Sequence, residues 1–152
     1  MNPILIKIQG HTKKSAQEMC QEFLNLERWS EFKGYSILPG IESAEFEIKT
    51  ANLPGSRIKV HNTDGSSHVE EIIEWDENHK LAVRFQDMEP PLKYLATHFI
   101  EEWLFVKTPD GTDVTRSMSM YPRGLAGWLV LLPIAQLMKK AFEKNMVLLR
   151  EE

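Results

Sequence analysis

Alternating apolar and polar positions fill most of this chain, and helical spacing takes over near its start and at its end. Ile4, Ile6 and Ile8 alternate with Leu5, Lys7 and Gln9, which predicts a strand with one buried face, ended by Gly10. Thr12 can cap a helix from about Lys13 to Leu24, whose Ala16, Met19, Cys20 and Phe23 share a face. A second short helical turn follows around Leu26–Phe32. Pro39–Gly40 then turns the chain into an alternating run in which Ala44, Phe46 and Ile48 face one way. Further strands are predicted over Arg57–Asn62, Val69–Trp75, Leu81–Phe85, Tyr94–Lys107 and Thr112–Tyr121. The turns between them are marked by Asp64–Gly65, Asp76–His79, Pro90–Pro91 and Pro109–Gly111. From Gly124 to Arg150 the pattern is a single long helix with two unlike halves. Leu125–Ala135 carries no polar side chain. After it, Met138, Ala141, Phe142, Asn145, Leu148 and Leu149 continue the stripe of Ile134, with Lys139, Lys140, Glu143 and Lys144 on the other side.

The predicted order is one strand, two helices, six consecutive antiparallel strands and one long helix, in one domain spanning residues 1–152. A curved antiparallel sheet needs one face covered, and a helix of ~25 residues reaches about 37 Å, enough to lie across it. The apolar first half of that helix is expected to face a cavity, or its mouth, that holds an apolar ligand. Pro133 is expected to kink the helix by clashing with the Leu129 carbonyl.

Composition narrows the function. The chain is 42% hydrophobic and 26% charged, as in globular domains, and its net charge of −4 argues against a nucleic-acid surface. The one cysteine, Cys20, permits no intrachain disulfide, which suits a reducing compartment. No signal-peptide pattern opens the chain. The apolar run 125–135 is about half the ~20 residues that span a bilayer. The expectation is a cytoplasmic protein without a membrane-spanning segment, with membrane contact left open. A two-residue turn at Asp64–Gly65 would set His61 opposite His68. That is half a metal site at most, and neither metal nor cofactor is expected.

The Ile-rich first strand, the Trp29…Leu38–Pro39–Gly40–Ile41 stretch, the Gly111–Thr112–Asp113–Val114–Thr115 opening of the last strand and the half-apolar closing helix together resemble the START-like, or Bet v 1-like, superfamily. That superfamily includes polyketide cyclases/dehydrases and lipid-transport proteins. The resemblance covers nearly the whole chain. It implies an α+β helix-grip fold in which a curved seven-stranded antiparallel sheet wraps the C-terminal helix around a cavity for lipids, polyketides or other apolar molecules. It carries over no catalytic residue.

A three-residue turn at Pro109–Gly111 would set Ile100 opposite Met120, Glu102 opposite Met118 and Leu104 opposite Arg116. The even-numbered residues of both strands would then line the cavity, while a slip by one would bring in Glu101, Trp103, Phe105, Ser117 and Ser119 instead. In the even register Glu102 and Arg116 pair, either as a structural ion pair at the rim of the sheet, as a polar anchor for a ligand head group, or as an acid–base group with His98. Met118, Met120, Trp128, Leu129 and Leu132 supply either an adaptable apolar lining or, for the methionines, plain core filling. Three readings follow. The first is a carrier of a hydrophobic small molecule. The second is a cofactor-independent cyclase or dehydratase using Arg116, Glu102 or His98. The third is an interaction module whose Leu125–Leu132 surface docks on a membrane or partner, which predicts a filled cavity.

Overall fold

The computed structural model describes residues 2–150, without the side chains of Leu148, Leu149 and Arg150, so the expected stripe positions 148 and 149 lie outside it. The elements are β1 (Ile4–Thr12), α1 (Ala16–Phe23), a 3-10 turn (Leu26–Glu31), β2 (Ile41–Ile48), β3 (Arg57–Asn62), β4 (Ser67–Asp76), β5 (Lys80–Gln86), α2 (Leu92–Leu95), β6 (Ala96–Thr108), β7 (Gly111–Pro122) and α3 (Gly124–Arg150). The seven strands form one antiparallel sheet in the order β1-β7-β6-β5-β4-β3-β2, with α3 packed against β1 and β7. Irregular pairings between Ile72 and Glu74 and between Ala96 and His98 bend the sheet. This is the expected helix-grip architecture. Two boundaries moved. Gly10 does not end β1 but pairs with Val114. The cap of α1 is Ser15, not Thr12, and its side chain accepts the Glu18 N–H at 3.1 Å.

Two hairpins differ from expectation by one residue, and the consequence reaches the site. Thr108 pairs with Gly111, so Pro109–Asp110 is a two-residue loop. The strands then have opposite parity. β7 turns its even residues Val114, Arg116, Met118 and Met120 inward, whereas β6 turns in the odd set Phe99, Glu101, Trp103 and Phe105. The odd set carries three aromatic rings, and burying them outweighs burying Ile100, Leu104 and Val106. At the other hairpin, Thr63–Gly65 forms a three-residue loop with Gly65 at φ 89°. It is closed by the Asn62 N–H donating to the Ser66 carbonyl at 2.8 Å. His68 therefore faces Val60, and His61 faces Ser67. The two histidines are not opposite one another. His61 bonds Glu45 on β2 at 2.9 Å, while His68 turns inward.

The buried face of α3 runs through Gly127, Leu131, Ala135, Met138, Phe142 and Met146. The helix is continuous through Pro133, which lies on its exposed side. At Gly127 the helix meets α2 so closely that a Cβ would overlap the Leu95 carbonyl oxygen. Gly127→Val should therefore cost about 1–3 kcal/mol by prising α2 from α3, a loss measurable by urea unfolding. On the opposite side Leu125, Leu129 and Val130 are exposed at 64%, 54% and 43%. The segment Gly124–Val147, longer than the apolar run read from sequence, is long and apolar enough to cross a membrane by length and composition alone. In the fold, one of its faces is committed to the sheet.

Candidate functional site

A cavity of about 340 Å³ lies between the inner face of the sheet and α3, roofed by α1, the 3-10 turn and the segment before β2. That volume is within the ~300–1,000 Å³ of small-molecule sites. Its walls are aromatic and apolar: Phe85, Phe99, Trp103 and Phe105 from the sheet, and Met138 and Phe142 from α3. From Ile134 onward α3 lines it, through Ile134, Leu137, Met138, Phe142 and Asn145, whereas the expected lining from Leu125 to Pro133 is absent. Trp128, Leu129 and Leu132 lie off the buried helical face and do not reach it. Met118 and Met120 point inward but are fully buried in the core with Leu131 and Ala135, filling the space where a ligand was expected.

Arg116 is the expected site residue that the cavity contains, and its partner is Glu101 rather than Glu102. Arg116 Nε donates to Glu101 Oε2 at 2.7 Å, Nη1 donates to Asn145 Oδ1 at 2.9 Å, and Trp103 Nε1 donates to the same Glu101 oxygen at 2.7 Å. The guanidinium carbon sits 3.8 Å from the Phe142 ring centroid and 4.5 Å from that of Trp103, a cation–π arrangement that holds it in place. Glu102 is on the outer face, where it approaches Lys80 at 3.8 Å. His98 is also outside, stacked on Tyr121 at 4.3 Å. Burial and the charge of Arg84 push its pKa down.

A second pair stands on the same inner face. His68 Nε2 lies 2.9 Å from Glu70 Oε2, Asn62 Nδ2 lies 3.2 Å from His68 Nδ1, and the imidazole stacks on Phe85 with centroids 5.0 Å apart. Because an amide NH₂ can only donate, Nδ1 accepts and Nε2 carries the proton given to Glu70. Among the described residues no fully buried side-chain nitrogen or oxygen lacks a partner. Glu70 Oε1, Glu101 Oε1 and Arg116 Nη2 make no hydrogen bond there, so these three atoms border the open space of the cavity.

A sequence profile described as polyketide cyclase/dehydrase and lipid transport matches residues 18–152. The chain belongs to that family. No curated protein matches its sequence. Among solved structures it is similar to the di-domain ARO/CYC StfQ from the steffimycin biosynthetic pathway, with a TM-score of 0.73 and 11% identity over 99% of this chain and 50% of that one. TTHA0849 from Thermus thermophilus superimposes with a TM-score of 0.71 at 15% identity, over 97% of this chain and 95% of that one. A START superfamily protein from Mycobacterium smegmatis gives 0.69 at 11% identity, over 97% and 94%. At these identities the likeness speaks for the fold.

The four ionisable groups on the inner sheet face of this polyketide cyclase/dehydrase family member form two hydrogen-bonded pairs, Arg116 with Glu101 and His68 with Glu70. Burial pushes the Glu70 carboxyl above its ordinary value. The hydrogen bond and charge of His68 pull the other way, Glu101 adds to the rise, and Arg116 opposes it. The sign of the stability effect follows. Below the ordinary carboxyl value of 4.5 the group is protonated in both folded and unfolded chains. As pH climbs through the raised folded value, only the unfolded chain ionises freely, and stability falls. Glu70→Gln should therefore gain stability over the native protein above about pH 5 and match it near pH 4, as read from melting temperature against pH.

Proposed function

We propose that this protein binds and holds a hydrophobic small molecule between its sheet and α3. The observation that carries this reading is the aromatic-walled cavity with charged groups at its inner surface, an arrangement that shelters an apolar body and orients a polar end. The family's description and the helix-grip fold support hydrophobic ligand binding or a cyclase-like role in general terms. Arg116 Nη2 and Glu101 Oε1 offer one donor and one acceptor to the polar end. A titration with the neutral fluorophore Nile red should saturate at one equivalent. Leu137→Trp, placed to fill the cavity, should abolish that binding while the fold persists. Undiminished binding to that variant would place the dye elsewhere and count against the reading.

A cyclase-like reading retains one specific support. Of Arg116, Glu102 and His98, Arg116 alone reaches the cavity, but the His68–Glu70 pair adds an imidazole and a carboxyl within it. In that case His68→Gln would stop turnover and leave ligand uptake intact.

A further inference from the structure

We infer that the molecule held here carries a basic nitrogen, and that its ammonium group sits against Glu70. The inference rests on the ligand-binding reading above and names the chemistry of its ligand. Six carboxyl groups line the cavity: Glu22, Glu31, Asp64, Glu70, Glu89 and Glu101. They face two guanidiniums, Arg28 and Arg116, and one imidazole, His68. The guanidiniums are engaged. Arg116 bonds Glu101 and Asn145, and Arg28 bonds Glu31 and approaches Glu22 at 3.6 Å. A carboxylate ligand would thus meet guanidinium charges already balanced by Glu101, Glu31 and Glu22, in a cavity with an excess of carboxyl groups.

The acidic excess collects at the β3–β4 end. Asp64 is held by Ser66, and Glu89 accepts from Ser67 Oγ at 2.6 Å, both near the exposed rim. Glu70 lies deeper, 4% exposed, and spends one oxygen on His68 while the other opens onto the cavity. The ionisable groups that face it are His68 on its own strand, Glu101 on β6 and Arg116 on β7. Its register neighbours, Ile58 on β3 and Phe85 on β5, are apolar. An ammonium group brought to Oε1 donates to that open oxygen and replaces the hydration the carboxyl has lost. The Phe85 and Phe99 rings nearby offer π faces to the same cation.

The test uses the full chain and three probes of matched shape, 4-phenylbutylamine, 4-phenylbutan-1-ol and 4-phenylbutyrate, in calorimetric titrations near pH 7. The amine should bind roughly tenfold tighter than the alcohol, with the carboxylate weakest. Glu70→Gln should bring the amine down to the level of the alcohol and leave the alcohol unchanged. His68→Gln, which keeps the carboxyl, should keep the preference. An alcohol that binds as tightly as the amine would overturn the assignment and leave ligand binding standing. A preference that survives Glu70→Gln in a folded variant would do the same. Failure of all three probes to bind would overturn both.

Discussion

Arg116→Met is expected to lower the unfolding free energy by about 3–5 kcal/mol, among the largest losses available to a single substitution in this chain. Arg116 is 6% exposed and its partner Glu101 4%. Removing the guanidinium leaves a carboxylate enclosed by Trp103 and the sheet, with the Trp103 N–H as its remaining side-chain donor. The pair itself gives little net stability, because each charge was taken out of water to make it. The double variant Arg116→Met with Glu101→Leu should therefore recover most of the loss. Urea unfolding of the two single variants and the double one checks this. A double variant as unstable as the sum of its parts would mean that the ion pair is not the unit described here.

Phe142→Ala should cost a comparable amount, about 3–5 kcal/mol, for a different reason. The ring is 1% exposed, meets Phe32 edge-on at 6.2 Å and forms the platform under Arg116. Its removal forfeits apolar burial and widens the cavity at the level of α3. Because it shares the guanidinium stack, its cost should not add to that of Arg116→Met. A double-mutant cycle should show coupling of about 0.5–3 kcal/mol. Additive losses would show that the cation–π contact contributes nothing beyond packing.

The fold was legible because its signals are redundant. Isoleucine alternation marks β1, Asp–Gly and Pro–Asp–Gly mark hairpins, and the 27-residue α3 declares itself by length and periodicity. The site was less legible because it depends on parity. Adjacent Glu101 and Glu102 offer the same chemistry to either face, and both parities of β6 are rich in apolar residues, so nothing local distinguishes them. A single residue in the Pro109–Asp110 loop decides. The aromatic weight of Phe99, Trp103 and Phe105 was the available signal. The same holds on β4. Once the Asp64–Gly65 loop is allowed three residues, His68 and Glu70 fall opposite Val60 and Ile58, the apolar positions of β3 that are buried. The apolar run 125–135 misled for another reason. Its buried side packs core methionines and α2, its outer side stays exposed, and the polar-striped second half meets the cavity. Whole-segment hydrophobicity does not show which side of a helix meets a void.

The most direct test of the account is native mass spectrometry of the freshly purified full chain, followed by denaturing extraction. The account predicts an added mass of one hydrophobic molecule per chain, released on denaturation, absent from Leu137→Trp and regained by the emptied native protein when it is offered back. A chain that purifies at its own mass and takes up neither an extract of its host cells nor Nile red would contradict the central claim. The exposed Leu125–Val130 face of α3 would then be the surface to explain.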